Sequence, residues 1–87
     1  MTKDTLIDFP CLFPVKIIGL HSPTFIEEIK QITIKHFPDF VEENLVHKPS
    51  QKNNYLAITV TVFAQNKELL DAFYHEITKH AQVKMVL

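Results

Sequence analysis

Lys48, Ser50, Lys52 and Tyr55 stand within one short stretch and offer two ammonium groups and two hydroxyls. Together they could hold an anionic ligand or an acidic partner. The plainer reading is a solvated hairpin loop in which Pro49, Ser50 and Asn53 only set the turn. A second group, Gly19, His21 and Ser22, falls between a strand pattern and a helix start, where Gly19 serves a turn or close packing and Ser22 an N-cap. The five histidines, at 21, 36, 47, 75 and 80, include no pair four residues apart, and Cys11 has no second cysteine, so no metal site is expected. Cys11 sits between two prolines with no base beside it, which argues for an unreactive thiol. No stretch assembles acid, base and nucleophile, so no catalytic residue and no cofactor is expected.

Composition narrows the classes further. A chain of 87 residues with 46% hydrophobic content makes one globular domain with one core. The net charge of −1 gives no electrostatic reason to expect nucleic acid. All 9 basic residues are lysine, and planar two-point recognition of phosphate normally uses arginine. A lone cysteine suits a reducing compartment, and MTKDTLIDFP, with one lysine and interrupting acids and proline, does not read as a signal peptide. No apolar run approaches the ~20 residues that span a bilayer. A cytoplasmic location is the expectation.

These residues must be positioned by regular elements. Leu56, Ile58, Val60 and Val62 alternate with Ala57, Thr59, Thr61 and Phe63, the pattern of a strand with one buried face. Turn formers from Pro49 to Asn54 precede it, and Glu43 to Lys48 reads as its hairpin partner. Upstream, residues 1–11 read as an N-terminal arm and 12–87 as the domain. Phe13, Val15 and Ile17 open a first strand that ends near Gly19. Ser22 and Pro23 start a helix that Pro38 ends, with Glu27 and Glu28 placed early for its dipole. Its inner stripe is Phe25, Ile26, Ile29, Ile32, Thr33 and His36. Asn66 caps a second helix to about Lys79 with Leu70, Phe73, Tyr74 and Ile77 inward. A short strand through Val83, Met85 and Leu87 closes the chain. The order β-α-β-β-α-β predicts a ferredoxin-like α+β sandwich: an antiparallel sheet in order 4-1-3-2 with both helices on one face. Val15, Ile17, Ile58, Val60, Val83 and Met85 are assigned to the covered face. Lys16, Ile18, Ala57, Thr59, Thr61, Phe63, Lys84 and Val86 are assigned to the open one.

The segments FPCLFPVKIIG (Phe9 to Gly19), KPSQKNNY (Lys48 to Tyr55) and VKMVL (Val83 to Leu87) resemble the YbeD-like family of small bacterial proteins of uncharacterised function. The likeness covers nearly the whole chain. Family members often carry glycine where this chain has Asn53, a residue that also tolerates a left-handed turn. The family is similar in fold to ACT-type regulatory domains, which bind small effectors, often amino acids, at domain interfaces. That analogy implies a regulatory role and a ligand-holding function for the loop at Gly19, His21 and Ser22. The usual ACT loop, an acid followed by a proline-glycine pair, is missing here. Other owners of the fold fit less well. Ala57 and Thr59 stand where RNA-recognition motifs present aromatics, acylphosphatases need an arginine, and heavy-metal carriers need two cysteines in the first loop.

The sequence therefore predicts a non-enzymatic cytoplasmic regulatory or adaptor module. It would act through the open face, where Lys16, Thr59, Thr61 and Lys84 lie, or through an edge strand. The expected partner is a second copy or another protein, with no nucleic acid and no membrane. The alternative is an ACT-type sensor holding a small anionic or amino-acid-like effector between the first loop and the Lys48 to Tyr55 hairpin.

Overall fold

The computed structural model describes residues 10–50 and 54–87. Its elements are β1 (Cys11–Leu20), α1 (Pro23–His36), a single 3-10 turn (Glu42–Asn44), β2 (Leu45–Pro49), β3 (Tyr55–Ala64), α2 (Lys67–Lys79) and β4 (Val83–Val86). The sheet runs β2-β3-β1-β4 and every pairing is antiparallel, the expected order read from its other edge. β1 and β3 pair along their whole length, with Val15 opposite Val60 and Ile17 opposite Ile58. Residues paired across a ladder share a face. These four side chains therefore form one apolar patch, and all four are fully buried beneath the helices.

The helices supply the other half of the core. Phe25, Ile29 and Thr33 of α1 and Leu70, Phe73 and Ile77 of α2 are buried, at the spacing that brings side chains to one side of a helix. Thr33 is the one buried polar residue among those described, and its hydroxyl donates to the Ile29 carbonyl one turn back. Asn66 caps α2 as expected, accepting from the Leu69 backbone N–H at 3.0 Å. α1 begins differently from the expectation. Pro23 occupies its first turn, but the Ser22 hydroxyl makes no cap bond and lies 3.3 Å from Thr24 Oγ1. Its first turn also holds no acid, so Glu27 and Glu28 sit too far along to meet the dipole.

Three further placements differ from the sequence expectation. β1 already begins at Cys11, paired with Ala64, where the arm was expected to continue. β2 starts at Leu45, because the 3-10 turn takes up Glu43 and Asn44. Most consequential is β4. Val86 pairs with Ile17 and packs on the core, while Met85 pairs with Ile18 and faces outward. The two faces assigned to Met85 and Val86 are thus exchanged. A register shift between Ile18 and Gly19 is the cause: one extra residue in a bulge inverts the alternation beyond it. Phe37 and Phe40, in the stretch after α1, also enter the core.

Candidate functional site

No element of the described chain covers the second face of the sheet. Along β1 that face carries Leu12, Pro14, Lys16, Ile18 and Leu20, and along β3 Tyr55, Ala57, Thr59, Thr61 and Phe63. β2 adds Val46, opposite Thr59, and Lys48, opposite Ala57. β4 adds Met85 opposite Ile18, and Leu87 exchanges both backbone hydrogen bonds with Lys16. Large apolar side chains are conspicuous here. Leu12, Leu20, Val46, Tyr55, Phe63, Met85 and Leu87 are all exposed, Leu12 at 64% and Val46 at 60%. Only two other large apolar residues of the described chain are as open, Ile34 and Val41. Scattered exposed apolar residues are ordinary, whereas a contiguous group on one face marks a contact surface.

At one end this face runs into a cleft. Leu12, Thr61 and Phe63 form one wall and Phe37, Phe40 and Leu69 another, enclosing about 270 Å³. The cleft exists because β2 pairs only with the first half of β3, which leaves the Thr61 to Ala64 end without a neighbour on that side. Pro38 turns the chain back across this gap after α1, bringing Phe40 with it.

Of the predicted loop residues, Ser50 and Tyr55 meet at the other end. Ser50 accepts the Tyr55 backbone N–H on its hydroxyl at 3.1 Å and donates its own backbone N–H to the Tyr55 carbonyl at 2.9 Å. The hydroxyl is therefore engaged in closing the hairpin. Lys48 and Tyr55 are exposed, and Lys52 lies outside the described residues. The first loop adjoins this hairpin, with the His21 backbone N–H donating to the Asn54 carbonyl at 3.2 Å. Gly19 is buried beneath Phe25, and a Cβ there would stand 2.3 Å from Phe25 Cζ and 2.5 Å from the Gln82 carbonyl oxygen. The protein itself fills the space at Gly19. Lys16, Thr59 and Thr61 stand together on the open face, Lys16 directly opposite Thr59. Lys84 is exposed in the β4 bulge.

Two histidines pair with carboxylates across the helix layer. His36 Nε2 lies 2.7 Å from Glu76 Oε1, and His80 Nε2 lies 2.6 Å from Glu28 Oε1. Among the described residues no three His, Cys, Asp or Glu side chains converge as a metal site. Hydrogen bonds from His36 and then Lys35 hold the Glu76 carboxyl below the ordinary value of 4.5. A carboxyl lowered in the folded state stabilises above its unfolded pKa, and that contribution disappears as pH falls through the folded one. Glu76→Gln is accordingly expected to lose less stability than wild type between pH 6 and pH about 3.5, as measured by urea unfolding at the two values. Parallel losses would mean that the Glu76 contacts contribute nothing in solution.

A four-stranded antiparallel sheet with two helices on one face and an exposed second face is a ferredoxin-like fold, and its structural neighbours include ACT domains. The crystal structure of the ACT domain from GTP pyrophosphokinase of Chlorobium tepidum superposes with a TM-score of 0.69 at 20% identity, covering 93% of this chain and 97% of that one. The solution structure of HP0495 from Helicobacter pylori gives 0.71 at 15% identity over 93% of this chain and 85% of that one. Residues 4–87 match the family described as "Protein of unknown function (DUF493)", and the chain belongs to that family. A "UPF0250 protein" of Leptothrix cholodnii is 40% identical over 98% of this chain and 93% of its own length. One from Chromobacterium violaceum is 40% identical over 98% and 96%. The resemblance read from Phe9–Gly19, Lys48–Tyr55 and Val83–Leu87 to YbeD-like proteins is thus a family relationship.

Proposed function

We propose that this protein is a non-enzymatic regulatory or adaptor module of the cytoplasm that works by docking another protein on its uncovered sheet face. One observation carries the reading: seven of the nine exposed large apolar side chains among the described residues gather on that face, from Leu12 and Phe63 at one end to Tyr55 and Leu20 at the other. Covering such a face removes apolar area from water at about 25 cal/mol per Å², the main driving term in association. The edges are less inviting. β2 ends in Lys48 and Pro49, and β4 is short and bulged, both of which discourage a further strand from adding. No helix among the described residues is long and apolar enough to cross a membrane.

Sedimentation equilibrium of the wild type and of a Thr59→Lys, Thr61→Lys double variant tests whether a second copy covers the face. A homodimer through this face predicts association of the wild type at micromolar concentration and a monomeric variant. A wild type that remains monomeric at high micromolar concentration excludes self-association and leaves a different protein as the partner. Equal dimerisation of both would move the interface to an edge strand.

A second reading has its own support. The His21–Asn54 hydrogen bond brings the first loop against the hairpin, the place where an ACT-type sensor would hold a small anionic or amino-acid-like effector. Native mass spectrometry of protein isolated from its host addresses it directly. A stoichiometric metabolite, lost on disrupting this loop pair, would favour the sensor over the adaptor.

A further inference from the structure

We infer that the partner is an acidic protein segment bearing a large apolar side chain, rather than a second copy of this chain; the inference rests on the docking role proposed for the open face. Charge is segregated in this fold. The acidic residues of the described chain are Glu27, Glu28, Asp39, Glu42, Glu43, Glu68, Asp71 and Glu76, and none lies on a strand. The strands instead hold Lys16, Lys48 and Lys84, all exposed and without an ion-pair partner among the described residues. Three of the four helix lysines do meet acids: Lys30 meets Glu27 and Glu42, Lys35 meets Glu76, and Lys67 meets Asp71.

Position makes this segregation useful. Lys48 lies on one edge strand, Lys16 on a central strand and Lys84 on the other edge, spread across about 14 Å at the usual strand spacing. Apolar side chains separate them: Ala57, Ile18 and Met85 share a row with Lys48, and Val46 and Leu87 share one with Lys16. Two such faces stacked on each other would bring the Lys16 and Lys48 ammonium groups of both copies into one interface, where no side-chain carboxylate of the described strands meets them. Like charges so placed oppose association, whereas carboxylates spaced along a partner would satisfy them.

The cleft beside Phe63 adds a specific anchor. Its 270 Å³ is below the usual range of roughly 300–1,000 Å³ for small-molecule sites, and its Phe37, Phe40, Leu12 and Leu69 walls suit one buried apolar side chain; Asp39 also lines it, so the partner's carboxylates belong beside the lysines and not in the cleft. A nucleic acid fits less well, because it has no such side chain and would meet the acidic remainder of a chain whose net charge is −1.

The test is selection of binders from a random, charge-unbiased displayed peptide library on the immobilised full chain. Amide shift mapping and affinities of the enriched peptides follow. A 20-nucleotide RNA and phosphatidylglycerol vesicles serve as comparison probes. Expected are peptides of net negative charge with an aromatic or long aliphatic residue, shifting Lys16, Thr59, Phe63 and Met85. Their affinity should fall about five- to tenfold in Lys16→Glu, a substitution at an exposed position whose fold circular dichroism verifies, and should weaken with salt. Neutral or basic peptides mapped to this face would overturn the acidic partner while leaving the docking role intact. No enrichment, or binding on the helix side, would overturn both. Tighter binding of RNA or vesicles than of any selected peptide would overturn the protein partner, as would a wild-type homodimer dissociated by Thr59→Lys, Thr61→Lys.

Discussion

Truncation of Ile58 to alanine is expected to cost the fold about 2–5 kcal/mol, while Thr59→Ala, one residue along the same strand, costs under about 1 kcal/mol. Ile58 is fully buried, paired with Ile17 on one side and His47 on the other, under both helices. Removing its terminal carbons loses their transfer free energy and leaves a void that the rigid β1–β3 ladder cannot close. Thr59 points to the other face, between Lys16 and Val46, with no helix above it. For a chain of this size each kcal/mol lowers the melting temperature by roughly 4–8 °C, so the two variants should separate clearly in a thermal scan. The comparison also bears on function. If Thr59→Ala destabilises as much as Ile58→Ala, something covers the second face, and its availability to a partner is refuted.

Gly19→Ala is the second large effect, expected at about 1–3 kcal/mol or more despite adding a single methyl group. The new Cβ would fall 2.3 Å from Phe25 Cζ and 2.5 Å from the Gln82 carbonyl oxygen, closer than atoms tolerate. Neither neighbour is free to retreat. Phe25 is fully buried and meets the His80 ring edge-on at 5.6 Å between centroids. The Gln82 oxygen accepts the Leu20 backbone N–H at 3.0 Å, the bond that leads β1 past β4. Glycine is thus demanded here by space rather than by backbone conformation. Urea unfolding of Gly19→Ala measures it, and a midpoint matching the wild type would mean that Phe25 can move aside.

Much of this architecture was legible from periodicity. Alternation from Leu56 to Phe63 identified β3 and both of its faces, because a strand with one covered side must alternate. The 3.6-residue stripe through Phe25, Ile29 and Thr33 and that through Leu70, Phe73 and Ile77 located the helices, for the same reason of one-sided burial. Asn66 and Pro38 marked a start and a stop through local backbone chemistry alone. Element order then restricted the topology to the ferredoxin-like arrangement, since right-handed crossovers put both helices on one side.

Long-range pairing decided the rest. The bulge opposite Gly19 exchanged Met85 and Val86 between faces, and no pattern within VKMVL signals a register shift that arises only against β1. Phe37 and Phe40 lie in a connection whose sequence has no period, so their entry into the core depended on where Pro38 sends the chain. Ser50 has the chemistry of a ligand group, but the hairpin it closes engages its hydroxyl. A net charge of −1 concealed a sheet with an apolar open face whose strands, among the described residues, hold lysines and no acid. Local patterns report the demands of a single strand or helix. The placement of Lys16 and Lys48 on one uncovered face came from two separate strands, and only the folded sheet brings them together.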